Sequence, residues 1–571
     1  MQKKWLLLVH GFSFLRNTLA SPGASSVHSP PIVDLGYAKY QGISALDSVS
    51  NKTNTNFLSI RYAAPPTGTL RFAAPKAPEA TKGVQLASAQ PDRCWAASMG
   101  LQPASPFVNS TSTTNSPSAR RAEHHIESRA TNVTQAIPPS NEDCLFLNVF
   151  VPGKLGEKSN LPVVVWIHGG GYAIGGATGL FGTDVYDGND LIREAGGNVV
   201  VVVIQYRLGL FGFLAGQDVK DGGVLNAGLL DQQFALTWVQ QHIESFGGDP
   251  GKVTLWGQSA GAGSITLHLL ANGGNTQPPL FRAAITSSTF LPPMYLFNEH
   301  IPETLYNEVV SQSNCAASGD ALSCLRQADI TVLQAANTNI STSAFFGTFA
   351  FVPVVDGTFI TERPTQLLKS GRFNAKHLYS VTNTFEGAIW VDPSTANTVQ
   401  TPEFIAQIFP NLGANEIQAA ASQYVGLGSN LFQAIAVIGE SIFICPTYYL
   451  TRAFNGTSFK GELAIPPGNH GDDLSYYYPT TNNADGIPPY ANPQFDASFA
   501  ESYLKFAMSL TPNAKFDTAD ITPHWDTWKG GNEMLFNRTE GGAPDIRQIR
   551  TSAALLKRCA FWESVGSLTG Q

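Results

Sequence analysis

The chain alternates short, wholly apolar runs with longer stretches in which apolar residues recur at helical spacing. Val163-Val164-Val165-Trp166-Ile167 is continuous and rich in β-branched residues, and residues 199–204 repeat the pattern. Such runs suit strands buried on both faces, as in a parallel sheet covered by helices. Between them, residues 190–195 read as a short helix. In residues 229–243, Leu230, Phe234, Leu236, Trp238, Val239 and Ile243 recur at helical spacing. That helix is expected to stop at Phe246-Gly247-Gly248-Asp249-Pro250, a terminator built of glycine and proline. Residues 252–256 read as the next strand, and residues 378–385 and 459–465 as later ones. Strand and helix in alternation predict an α/β fold with a large, mostly parallel central sheet flanked by helices.

Two stretches depart from this pattern. Residues 105–137 are Ser/Thr/Asn-rich and poor in apolar side chains, so they read as a polar surface loop inserted into the domain. Its dibasic pair, Arg120-Arg121, reads as a solvated charge pair rather than a processing site. Its adjacent histidines, His124 and His125, lack the spacing and third ligand of a zinc site, and no metal is expected. At the start, Lys3 and Lys4 precede a broken apolar run, residues 5–15, and the small-residue site Thr18-Leu19-Ala20. Residues 1–20 therefore read as a secretory signal peptide, with residues 21–571 as the mature domain. The apolar run is too short and interrupted to span a bilayer. No later segment reads as a span, so no stable membrane insertion is expected.

Composition supports this reading. Of 571 residues, 43% are hydrophobic, enough for a large core. Lys+Arg number 35 against 43 Asp+Glu, a net charge of −8, which gives no electrostatic reason to bind nucleic acid. The six cysteines (Cys94, Cys144, Cys315, Cys324, Cys445, Cys559) are an even number, compatible with three disulfides in an oxidising compartment. Sequons at Asn51, Asn109, Asn132, Asn339, Asn455 and Asn537 are candidate glycosylation sites on a secreted glycoprotein.

The candidate chemistry lies after the 252–256 strand. Gly257-Gln258-Ser259-Ala260-Gly261 is followed by a helix-compatible stretch, residues 264–270. This is G-x-S-x-G in its required context of strand, tight turn and helix. The turn exposes Ser259 Oγ at the sheet edge, and the helix start directs N–H groups at it. His168-Gly169-Gly170-Gly171-Tyr172 follows the 163–167 strand. Bare glycines let backbone N–H groups approach a developing oxyanion. The expected donors are the N–H groups of Gly170, Gly171 and Ala260. His168, at a strand end before the glycines, reads as structural.

These motifs resemble the type-B carboxylesterase/lipase family of α/β-hydrolases, which includes cholinesterases and fungal lipases. The likeness is carried by Glu142-Asp143-Cys144-Leu145-Phe146-Leu147-Asn148-Val149, by the His168 glycine run, and by a long stretch from Asn226-Ala227-Gly228-Leu229-Leu230-Asp231-Gln232 to the Ser259 motif. Phe351-Val352-Pro353-Val354-Val355-Asp356-Gly357 adds a fourth match. The resemblance runs from about Val33 to Trp562. It implies an α/β-hydrolase fold and a glutamate as triad acid. Glu386-Gly387 matches the family's Glu-Gly motif and His470-Gly471 its His-Gly motif, so Ser259, Glu386 and His470 are the expected triad, in α/β-hydrolase order. It also implies the pairings Cys94–Cys144, Cys315–Cys324 and Cys445–Cys559. By sequence alone, 15 pairings remain open.

The resemblance further implies a secreted serine carboxylic-ester hydrolase acting through an acyl-enzyme on a small-molecule ester, without cofactor, and losing activity at acid pH as His470 is protonated. Departures from the family narrow the substrate. Trp95 is the only tryptophan between the first two cysteines and lacks the motif of a choline site. Gly347 and Phe349 take the two acyl-pocket positions, and Gly347 removes a wall, so acyl groups larger than acetyl are expected to fit. Ile389 and Trp390 take gorge-wall positions. The loop between the first two cysteines shows no apolar face for an interfacial lid, which favours an esterase over a lipase. An acyltransferase using the same triad is an alternative. A non-catalytic adhesion homologue is disfavoured, because Ser259 is present. Oligomeric state and the natural ester are left open.

Overall fold

The computed structural model describes residues 30–107, 139–180, 186–480, 488–516 and 518–571. The expected signal peptide, the dibasic pair, His124, His125, Asn109 and Asn132 lie outside them. Pro31–Gln571 form one compact unit.

Eleven strands build the main sheet. In chain order they are β1 (Ile43–Asp47), β2 (Lys52–Arg61), β3 (Phe146–Val151), β4 (Leu161–Ile167), β5 (Val200–Ile204), β6 (Gly248–Gln258), β7 (Ala283–Ser287), β8 (His377–Asn383), β9 (Ser458–Leu463), β10 (Asn532–Arg538) and β11 (Pro544–Arg550). Across the sheet the order is β11-β10-β9-β8-β7-β6-β4-β5-β3-β2-β1. The strands from β10 through β5 run parallel, and antiparallel pairs close both edges.

The continuous valine runs occupy β4 and β5 because both sheet faces are covered. Val163, Val165 and Ile167 enter one core, while Val164 and Trp166 enter the other. Residues 163–167 and 200–204 are fully buried. The helices used below are α1 (Gly188–Glu194), α2 (Ala227–His242), α3 (Ala260–Gly274), α4 (His300–Gln312), α5 (Asn430–Gly439), α6 (Cys445–Ala453) and α7 (Ala553–Ser564). A π-helical turn, Glu440–Ile444, joins α5 to α6.

Three expectations change. The Gly-Asp-Pro segment after α2 is not wholly a terminator: Gly247, at φ 83°, caps the turn, and β6 already begins at Gly248. Gly248 pairs with Leu161 and Val253 with Val163, so an irregularity absorbs the residues around Pro250, which has no N–H for the ladder. The loop expected to be solvated begins packed: Phe107 is buried, and Ser105 N–H donates to Gln407 Oε1 (3.0 Å). Lastly, among the described residues one helical run, Asn430–Ala453, is long and apolar enough to cross a membrane, although 72% of its most apolar window is buried in the fold.

Three disulfides are formed, Cys94–Cys144, Cys315–Cys324 and Cys445–Cys559. The third joins α6 to α7 across 114 positions of sequence. Asn51, Asn339 and Asn455 are exposed, and Asn537 is half-buried at the end of β10.

Candidate active site

Ser259 stands between β6 and α3 at φ 57°, ψ −126°. This conformation is sparsely populated for a residue with a Cβ and is held by its surroundings. Ser259 N–H donates to Ser287 O on β7 (2.9 Å), and Ser259 O accepts from Gly263 N–H in α3 (2.9 Å). The glycine two residues on is required by close approach. A Cβ on Gly261 would lie 2.0 Å from Ile167 O, where α3 leaves the sheet against the end of β4.

The His168 loop follows β4 and reaches the same place. A Cβ on Gly169 would lie 3.0 Å from Ser259 Cβ. Gly170 and Gly171 both have positive φ, 103° and 63°. His168 is fully buried, its ring stacked on Tyr206 and its Nδ1 2.9 Å from Gly169 O. Burial pushes its imidazole down to about 4, so it is neutral at pH 7. Its ring contacts tie the start of the loop to Tyr206 and Gly169.

Glu386 and His470 follow the ends of the neighbouring parallel strands β8 and β9. Phe385 N–H donates to Gly468 O (2.8 Å), which ties the two loops together. Glu386 is fully buried. Its Oε1 accepts from Asn383 N–H (2.7 Å), and its Oε2 lies 2.6 Å from His470 Nδ1. With Nδ1 occupied as a donor, His470 Nε2 is the acceptor. Gln258, the residue before Ser259, directs its side-chain Nε2 at that nitrogen from 3.2 Å. The structure thus joins Glu386 to His470 directly and brings His470 against the residue adjoining Ser259.

Beside the imidazole lies a cavity of ≈ 110 Å³. Trp390 and Phe443 belong to its wall, with ring centres 5.4 and 4.5 Å from that of His470. Phe349, Phe290, Leu305 of α4 and Ile438 of α5 complete much of the apolar lining, and no lining side chain is charged. Gly347 and Phe349 both line it, but Gly347 is not a removed wall. It has φ 79°, and a Cβ there would lie 2.3 Å from Trp390 O. The Trp390 backbone fills that volume. Ile389 is exposed and does not line it. Trp95 lines a separate small cavity beside Cys94–Cys144, away from the imidazole.

Sequence reasoning gave no role to four residues around this site. Gln258 occupies a variable position of the motif. Phe443 sits in an apolar helical run with nothing to mark it. Asn383 ends a strand. Asp473 was visible in the acidic pair after His470-Gly471. It is buried, and it accepts from Asn383 Nδ2 (3.2 Å) and Tyr477 OH (2.9 Å). Burial first, then the neighbouring Glu386 charge, raise its carboxyl to about 6. Among the described residues, no group of three or more His, Cys, Asp or Glu is placed to hold a metal ion.

A mixed sheet of this order, with a serine on the strand–helix turn and an acid–histidine pair beyond the ends of two later parallel strands, defines an α/β-hydrolase. The sequence model of the Carboxylesterase family matches residues 29–562, and the chain belongs to that family. It is accordingly a carboxylic ester hydrolase. Carboxylesterase patB of Penicillium expansum is 29% identical, over 94% of this chain and 96% of that protein. Secreted lipase 1 of Botryotinia fuckeliana is 28% identical, over 93% and 94%. The crystal structure of Aspergillus niger EstA superposes with a TM-score of 0.79 at 28% identity, covering 96% of this chain and all of that one.

Proposed function

We propose that the chain is a secreted serine esterase in which Ser259 is the nucleophile, His470 the general base and acid, and Glu386 the acid that orients the imidazole. The reading rests above all on the 2.6 Å contact of Glu386 Oε2 with His470 Nδ1, beside a strained serine. Ser259 Oγ attacks the ester carbonyl carbon as His470 Nε2 takes its proton. Glu386 stabilises the imidazolium. The N–H groups of Gly170, Gly171 and Ala260 hold the oxyanion, each donor contributing ~3–4 kcal/mol. As the carbon–alkoxide bond breaks, His470 returns the proton to the leaving alcohol. Water then attacks the acyl-enzyme, giving its proton to His470, and Ser259 leaves with a proton regained.

The uncharged, aromatic-walled cavity favours esters whose acyl part is neutral and apolar. A cavity of about 150 Å³ holds benzene, so ≈ 110 Å³ admits several methylenes rather than a methyl alone. Secretion is supported by the three disulfides, by the likeness to the secreted Botryotinia lipase, and by the expected signal segment. The test is a hydrolysis panel across acyl and alcohol sizes with wild type and Ser259→Ala. Loss of turnover in the variant is expected. Full turnover in Ser259→Ala refutes the assignment.

A lipase is the second reading. It is favoured by exposed Phe385, Ile389 and Phe432, with Phe385 packing its ring against Phe432 beside Glu386. A rate that jumps as a triglyceride passes its solubility limit would select it, and a smooth saturation curve would select the esterase.

A further inference from the structure

Two adjoining stretches of backbone form part of the cavity wall. One carries Phe290, Pro292 and Pro293, and the other carries Ile442 and Phe443. They meet directly where Leu291 N–H donates to Ile442 O (2.9 Å). A third group also joins them. Gln571 is buried, and its side-chain Nε2 donates to both Leu291 O (2.6 Å) and Ser441 O (2.8 Å).

The local chain chemistry explains why Ser441 O is open to an outside donor. In the π-helical turn, Cys445 N–H donates to Glu440 O, five residues back. The corresponding partner for Ser441 O is residue 446, which is a proline and has no N–H. Without a donor, this buried carbonyl would carry a desolvation penalty. Gln571 supplies one, and the same amide holds the adjoining Leu291 segment.

Gln571 is itself fixed. Its backbone O accepts from Thr365 Oγ1 (2.6 Å), its N–H donates to Gly566 O (3.0 Å), and its Oε1 accepts from Thr569 Oγ1 (3.1 Å). Next to it, Gly570 O accepts from Met294 N–H (2.8 Å), a second tie to the 290–294 loop.

We infer that Gln571 is a specificity-determining positioning residue whose amide locks together the adjoining 290–293 and 441–443 segments of the cavity wall, against which the acyl group sits. The placement of the acyl group rests on the function proposed above. The tie of the two segments does not. Phe443 packs on both Phe290 (5.4 Å between ring centres) and His470 (4.5 Å), so the junction of the two segments and the imidazole setting share one side chain.

The test compares Gln571→Ala and Gln571→Glu with wild type on p-nitrophenyl acetate, butyrate and octanoate, with kcat and KM resolved. Octan-1-ol affinity is measured alongside by calorimetry, independently of ester turnover. Loss of the tie is expected to raise KM for octanoate about fivefold or more, with a smaller change for acetate, and to weaken octan-1-ol binding in parallel. Gln571→Glu keeps the shape but cannot donate to two carbonyls, so its effect is at least as large. A bond that only stabilises the fold would lower the melting temperature and leave the octanoate-to-acetate ratio alone. If both variants keep that ratio and the octan-1-ol Kd within twofold of wild type, the inference is overturned, whatever their melting temperatures. If wild type hydrolyses none of the esters, the proposed function fails, and octan-1-ol binding still decides the role of Gln571. Should both variants fail to fold, Thr365→Val, which frees only the Gln571 carbonyl, is expected to shift Kd in the same direction, and an unchanged Kd overturns the inference.

Discussion

The side-chain amide of Gln258 stands 3.2 Å from His470 Nε2, the nitrogen opposite the one that meets Glu386. The imidazole is therefore held at both ends in the tautomer a general base requires, Nδ1 carrying the proton and Nε2 unprotonated and facing the amide. A carboxylate in place of the amide would favour the imidazolium, because an opposite charge at this range stabilises the charged form. Gln258→Glu is expected to move the acid limb of the kcat/KM profile to higher pH by about one unit or more. The check is a pH series with a non-ionic ester. An acid limb unmoved from wild type would show that the amide does not govern the imidazole.

Asp473 provides a second pH dependence, in stability. Its native carboxyl titrates at about 6 against an ordinary value of 3.8, because it is buried beside Glu386. A raised native value means the folded state holds the proton more tightly. The contribution is thus fully present below about pH 4 and is lost as pH rises through about 6. Asp473→Asn stays neutral throughout. Its melting temperature is expected to match wild type near pH 4 and to exceed it progressively towards pH 7, by at most ~3 kcal/mol in unfolding free energy. A difference that does not change with pH would exclude this origin.

What could be read from the chain divides by range. The valine strands were legible because burial on both sheet faces leaves no polar alternation to obscure them. The Ser259 turn was legible because strand, glycines and helix all lie within about two dozen residues. Glu386 and His470 lie 84 positions apart, so no local pattern joins them, and only the family's Glu-Gly and His-Gly motifs marked them. Gly347 misled because a sequence shows a missing side chain but not the Trp390 backbone that fills its place. Phe107 misled because composition averages over a loop whose first turn packs. The Gln258 and Gln571 contacts are tertiary, made by side chains of no distinctive pattern.

The cavity wall offers a test of acyl size. Ile438, on α5, is buried and lines the cavity. Ile438→Phe fills volume that a long acyl group would use. One methylene in an apolar pocket commonly changes kcat/KM by ~10-fold or more. The variant is expected to lose at least about tenfold on octanoate esters and far less on acetate. Parallel losses on both esters would place the acyl group elsewhere.

The strand that leads towards His470 carries a buried charge, which gives the last prediction. Lys460 of β9 is fully buried, with Nζ 2.7 Å from Glu533 Oε1 on β10 and 2.8 Å from Thr382 Oγ1 on β8. Glu533 also accepts from Tyr448 OH (3.0 Å) and Thr551 Oγ1 (2.8 Å). The pair need not stabilise the fold relative to apolar replacements, because desolvation of two charges offsets their attraction. Removing one partner is different, since it strands the other charge in the core. Lys460→Met is therefore expected to cost ~3–5 kcal/mol, and the double variant Lys460→Met with Glu533→Gln to recover a large part of that loss. Urea unfolding monitored by two probes provides the free energies and tests whether the transition is two-state. If the single variant loses under about 1 kcal/mol, water reaches Glu533 and the site is not the dry ion pair its burial describes. If the double variant is no better than the single, the hydrogen bonds from Tyr448 and Thr551, rather than the stranded charge, set the cost.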